Sequence, residues 1–194
     1  MASRKNHIGT INRLITMCGA SVLVAVSLFA GVARGEGHQF SGKSSLEIDP
    51  AGKQQLGEQA FNEVMMFFYA AEMAIERKNL EAMMALYSDN YLDGDHDKKS
   101  AEQAWRRIFA TFDTMAIIHS MKFEKISADK DMVVFRCNGL LLGATGPDKK
   151  LVTMDSWNKQ DHILVKEEGK WKLIGTYGLE RKRLWFDKPM HPLF

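Results

Sequence analysis

Leu56, Ala60, Val64, Phe67, Phe68, Ala71 and Ile75 recur at three- and four-residue spacing, which predicts one long amphipathic helix ending near Lys78. Asp49 offers an N-cap for it, and Pro50 sits at the first helical position, where a missing N–H is harmless. Asn79 breaks the pattern, and Leu80, Met83, Met84 and Tyr87 predict a short second helix. The stretch Ser88-Asp-Asn-Tyr-Leu-Asp-Gly-Asp-His-Asp97 is too polar and turn-rich to continue it. Ser100 and Gln103 resemble a capping box. They open a third helix that carries Ala104, Trp105, Ile108, Phe109 and Phe112 on one side.

After Asp113 the period changes from helical to alternating. Residues 115–126 place Ile117, His119, Met121 and Phe123 on one face of a strand. Residues 132–143 place Val133, Phe135, Cys137 and Leu141 on one face and Arg136 and Asn138 on the other. Joining the apolar faces through the turn Ser127-Ala-Asp-Lys130 fixes the register, because a one-residue slip would bury Arg136. Gly146-Pro147-Asp148 turns the chain into a third strand, 151–166. The loop Glu167-Glu168-Gly169 leads to a fourth strand with Trp171, Leu173 and Ile174. Helices followed by an antiparallel meander make the α+β class.

Upstream of this pattern, Arg4, Lys5 and Arg13 precede an uncharged run from Leu14 to Ala33. A basic segment followed by an apolar one is the pattern of an export signal, with cleavage expected after Ala33 or Gly35. The alternative is an uncleaved anchor, since the run is long enough to span a bilayer. Cys18 lies too early in the run, behind the bulky Met17, for a lipoprotein site. Removing residues 1–33 takes Arg4, Lys5 and Arg13 from the 26 basic residues and leaves the 24 acidic ones, so the net charge falls from +2 to −1. No nucleic-acid partner is implied by that balance. Cys18 leaves as well, so Cys137 stands alone and no internal disulfide is expected. Residues 34–48, rich in Gly, Ser and charge, read as a flexible tether to a domain over 49–178.

Three features together resemble the nuclear transport factor 2-like superfamily, which includes ketosteroid isomerases and SnoaL-like cyclases. They are Asn79-Leu-Glu-Ala-Met-Met-Ala-Leu-Tyr-Ser-Asp-Asn90, the Asp/Gly-rich link to the Trp105 helix, and Asp161-His-Ile-Leu-Val-Lys-Glu-Glu-Gly-Lys-Trp-Lys172. The resemblance covers about residues 53–178. It implies a cone-shaped α+β barrel, with three helices packed in a strongly bent antiparallel sheet around an apolar cavity. For the isomerase chemistry it implies Asp95 as general base and Asp161, in the pair Asp161-His162, as a protonated oxyanion donor. Ala71 stands where the isomerases carry an oxyanion Tyr, and Tyr69 is two residues away. A shared fold does not carry a function.

The residues add their own candidates. His119 is polar among apolar neighbours on its face, and with Asp155 or Asp161 it would form a proton-transfer dyad. Asp161 in an apolar cavity would stay protonated and donate to a ligand oxygen. Each has a plainer reading: a satisfied buried His, an exposed strand-end charge, and for Asp95 a solvated loop. Asp93, Asp95, His96 and Asp97 fit no metal-ligand spacing, and neither a metal nor a cofactor is expected. Tyr69, Trp105, Met121, Phe135 and Trp157 are the expected pocket lining, in a chain rich in adaptable Met. Cys137 sits mid-strand on an apolar face, a poor place for a nucleophile. The tail Arg181-Lys-Arg-Leu-Trp-Phe186 clusters cations beside aromatics and packs on its own domain or docks elsewhere.

These features lead to an exported domain that binds a small apolar ligand without established catalysis. A homodimer through Val134, Leu140 and Ile174 on the outer sheet face is expected, with membrane contact only through an uncleaved N-terminal segment. An isomerase, cyclase or dehydratase is the alternative, and a protein-association module the third reading.

Overall fold

Gly57 divides the long helix that the periodicity predicts. Its backbone sits at φ 88° and ψ 158°, a conformation open to glycine. The chain therefore forms α1, Gly52–Leu56, and then α2, Glu58–Glu76. The computed structural model describes residues 42–148 and 150–178. The apolar run Leu14–Ala33, both expected cleavage points and the tail Arg181–Phe186 lie outside the described residues.

Lys78 adopts a positive φ and ends the α2 turn. Asn79 then caps α3, Leu80–Met84, its side-chain oxygen accepting from the Ala82 N–H at 3.0 Å. Tyr87 falls beyond α3 and bridges to Leu173 instead. α4 runs Lys98–Thr111, with its N-cap three residues before the Ser100 of the expected capping box. Asp97 caps it, because its carboxylate reaches both the N–H and the hydroxyl of Ser100 at 2.8 Å. The polar link before it folds into a two-rung hairpin, β2 (Leu92–Asp93) against β3 (His96–Asp97).

The main sheet contains β1 (Ser45–Ile48), β4 (Thr114–Ile126), β5 (Met132–Thr145), β6 (Lys150–Glu167) and β7 (Lys170–Tyr177). Its order is β1-β4-β5-β6-β7, and β4 to β7 form the antiparallel meander that the alternation predicts. β1 corrects the tether expected over 34–48, because Ser45–Ile48 pairs with β4, and in parallel. Leu46 and Ile48 are half-buried while Ser45 and Glu47 face water. Four alternating residues inside a polar stretch are too few to announce a strand, and their partner lies far along the chain. Ser44 anchors this segment by accepting from the Ile117 N–H and donating to Glu76.

Register shifts at Phe123/Lys125, Cys137/Gly139, Leu141/Leu142 and Ile163/Leu164 bend the sheet around α2. Two glycines make room on the concave side. A Cβ on Gly139 would lie 2.4 Å from the Trp157 ring, and one on Gly143 would lie 2.5 Å from the Phe112 ring. Phe68 of α2 sits at the centre, edge-on to Phe67 and Phe135 at 5.1 and 5.8 Å between ring centroids. Among the described residues the sheet stays open, with β1 and β7 as its edges, so the expected barrel is there a bent, unclosed wall. Among the described residues, no helix is long and apolar enough to cross a membrane.

Candidate functional site

Glu72 lies one turn beyond Phe68 on the buried side of α2, a position that helical spacing assigns to the core. Opposite it, β4 turns His119 inward between Ile117 and Met121. The His119 Nε2 is 3.4 Å from Glu72 Oε1. His119 is 3% exposed and Glu72 8%, and the Phe68 ring stands edge-on to the imidazole at 5.9 Å. Neither imidazole nitrogen, nor Glu72 Oε1, has a hydrogen-bond partner among the described residues. Buried polar atoms are normally satisfied, so three such orphans at one place make it a candidate site. His162, fully buried on β6, also presents its ring to Phe68, at 6.5 Å.

A second polar cluster occupies the neighbouring part of the interior. The Trp105 Nε1–H donates to the Tyr87 hydroxyl at 2.9 Å, and the Thr176 hydroxyl donates to Asp93 Oδ2 at 3.1 Å. Tyr91 packs edge-on against Tyr87 at 4.8 Å, and its hydroxyl has no hydrogen-bond partner among the described residues. Burial pushes both phenols well above their ordinary range, and the Asp93 charge adds to the shift. Both therefore remain protonated donors at neutral pH. Thr176 is the cross-strand neighbour of His162, which links this cluster to the Phe68 centre.

The expected dyad is assembled differently. His119 points into the core as predicted, but its carboxylate partner is Glu72. Asp161 does share a face with Ile163 and Val165, yet it is the outer face. The β5–β6 register sets Asp161 opposite Arg136 and sends His162 inward beside Phe135. Arg136 grips Asp161 with two bonds, Nε to Oδ1 at 2.9 Å and Nη2 to Oδ2 at 3.2 Å. That carboxylate is an acceptor for a guanidinium, not a donor in a cavity. The loop behind it, Glu168-Gly169, has two residues with φ 50° and 77° rather than the expected three. Asp155 is half-buried opposite Leu141 and accepts from the Ser156 N–H at 2.8 Å. Asp95 is exposed in the β2–β3 turn, and Asp93, at 1% exposure, is the acid that turns inward.

The expected pocket lining is mostly core. Trp105 and Phe135 are 0% exposed, Met121 2% and Trp157 7%, so all four are packed in the core. Tyr69 is on the far side of α2, 43% exposed. The Trp157 Nε1–H points at the Cys137 thiol at 3.2 Å. Burial pushes that thiol up to about 12, which removes it as a nucleophile.

An open groove of about 920 Å³ lies elsewhere, between the first half of α2 and the start of β7, over Met66, Phe67, Leu86 and Trp171. A smaller hollow of about 350 Å³ adjoins it near Leu56 and Lys166. Sequence reasoning missed Glu72, although a carboxylate between Phe68 and Ile75 on a core stripe was its visible signal. The groove had no such signal, because its walls meet only in three dimensions.

Neither a protein-family model nor a curated protein matches the sequence. Solved structures do match. A protein from Streptomyces avermitilis assigned as a dehydratase of the nuclear transport factor 2-like family aligns at TM-score 0.50 and 13% identity, over 62% of this chain and 95% of that one. LinA aligns at TM-score 0.50 and 12% identity, over 64% of this chain and 87% of that one. The chain has the nuclear transport factor 2-like fold. Bd1075 of Bdellovibrio bacteriovorus aligns with TM-score 0.50 and 12% identity, over 62% of this chain but only 41% of its own length. At these identities the nuclear transport factor 2-like likeness establishes fold, and chemistry has to come from the residues.

Proposed function

We propose that the domain takes a small, largely apolar molecule against the inner face of its sheet and moves a proton on it with His119 and Glu72. The observation that carries this reading is the buried pair itself, 3.4 Å apart and without hydrogen bonds in an apolar setting. Two buried ionisable side chains without hydrogen bonds are seldom the most stable filling for a core, so their presence calls for another reason. Glu72 faces Nε2 and would orient the imidazole, which leaves Nδ1 to accept a proton from a carbon beside an electron-withdrawing group. The electron pair released would form a double bond, either by expelling a leaving group or by shifting one already present. Glu72 would balance the imidazolium formed, and the protonated Tyr91 hydroxyl would donate to a substrate oxygen. That the Streptomyces avermitilis protein is assigned as a dehydratase supports this class, since dehydration also removes such a proton.

A second reading keeps the ligand and drops the chemistry: an exported small-ligand carrier that pairs through its outer sheet face. It is favoured by the half-buried Val134, Leu140 and Ile174 and by Ile118, 38% exposed on the same wall. Solvent-deuterium incorporation into a panel of cyclic ketones and β-hydroxy carbonyl compounds, followed by mass spectrometry, separates the two. Under the proton-transfer reading, His119→Gln and Glu72→Gln each slow exchange by about 10²–10⁴-fold while the fold is retained. Equal exchange in all three proteins would leave the carrier.

A further inference from the structure

We infer that the groove between α2 and β7 is a second binding site, separate from the His119–Glu72 pair, and that its ligand is a long-chain carboxylate. Its volume, about 920 Å³, is at the upper end of small-molecule sites, which run from roughly 300 to 1,000 Å³. Its floor is Phe67 and Leu86 with the buried face of Trp171, and Met66 is held 64% exposed at its side. A methionine so exposed beside aromatic and aliphatic groups leaves apolar surface in water, and its unbranched thioether adapts to a flexible chain.

Charge selects the head group. The groove's two glutamates are already neutralised from outside it, Glu58 by Lys53 at 2.9 Å and Glu63 by Lys166 at 2.7 Å. Lys166 also lies 5.7 Å from the Trp171 ring centre, which holds that indole in place. Of the two lysines that line the groove, Lys172 donates to the Ala85 carbonyl. Lys170 is exposed and makes no ion pair among the described residues. A lysine with no acceptor among the described residues, beside an apolar trough, suits a singly charged head, whereas a phosphate would call for several donors. The Trp171 Nε1–H, on a side chain 5% exposed, approaches Glu63 without completing a hydrogen bond and adds a donor to the groove wall.

The test is titration of the full-length protein with laurate and, separately, with dodecanol, read by calorimetry. Laurate is expected to bind with micromolar affinity. Met66→Glu, a change at an exposed position, lowers that affinity at least about tenfold by placing a charge against the chain. Lys170→Gln weakens laurate by about three- to tenfold and leaves dodecanol unchanged. His119→Gln alters neither. Absence of laurate binding overturns the inference, as does binding insensitive to both groove variants. Loss of binding in His119→Gln alone would place the ligand in the interior and overturn it as well. None of these outcomes depends on deuterium exchange, so the proton-transfer reading stands or falls separately.

Discussion

Single residues decide where this domain spends stability. His119 and Glu72 place two ionisable groups in the core without hydrogen bonds, an arrangement that well-packed apolar side chains often improve on by about 1–4 kcal/mol. The double variant Glu72→Met/His119→Phe is therefore expected to match or exceed the wild type in urea unfolding while losing activity. A clear loss of stability would make the pair structural instead. Phe68 is the opposite case. It is fully buried against Phe135, His119 and His162, so Phe68→Ala costs about 3–5 kcal/mol in the same measurement. Cys137 is expected to be inert. With its thiol pushed up to about 12 by burial, almost no thiolate forms near pH 8, and a thiol reagent should react only as fast as the protein opens. Much of this was visible beforehand. The inward turn of His119 and Cys137 followed from strand alternation, but the partner of His119 sits on a helix that the strand pattern does not see.

Among the elements, the junction of α1 and α2 is the most informative. Helical spacing runs straight through Gly57, and one continuous helix was the natural expectation. The break is a backbone event. No atom lies within 4 Å of a Cβ built there, so Gly57→Ala would suffer only from its positive φ, an expected cost of about 1–3 kcal/mol by urea unfolding. The tie between α2 and β6 is electrostatic. Lys166 holds the Glu63 carboxyl below its ordinary value, with Gln59 contributing. A depressed folded value means the contribution is present above the unfolded carboxylate value, near 4.5, and is lost as pH falls through the folded one. The stability gap between wild type and Lys166→Met should therefore narrow in acid. It will be small, because both side chains are partly exposed and water screens them.

On the scale of the molecule, the order of helices and then a meander was legible because each element carries its own period. β1 was not, since a four-residue strand is defined by the neighbour it pairs with. The site divides the same way. Local pattern determined that His119 faces inward and that Arg136 faces out, because a pleated strand alternates its side chains without reference to anything distant. Register between strands determined that Asp161 meets Arg136 and that His162 takes the inner position, and helix docking brought Glu72 to His119. Those pairings depend on bulges, a two-residue turn and a bent sheet. Their energies come from contacts between residues far apart in the chain, which no window of sequence contains.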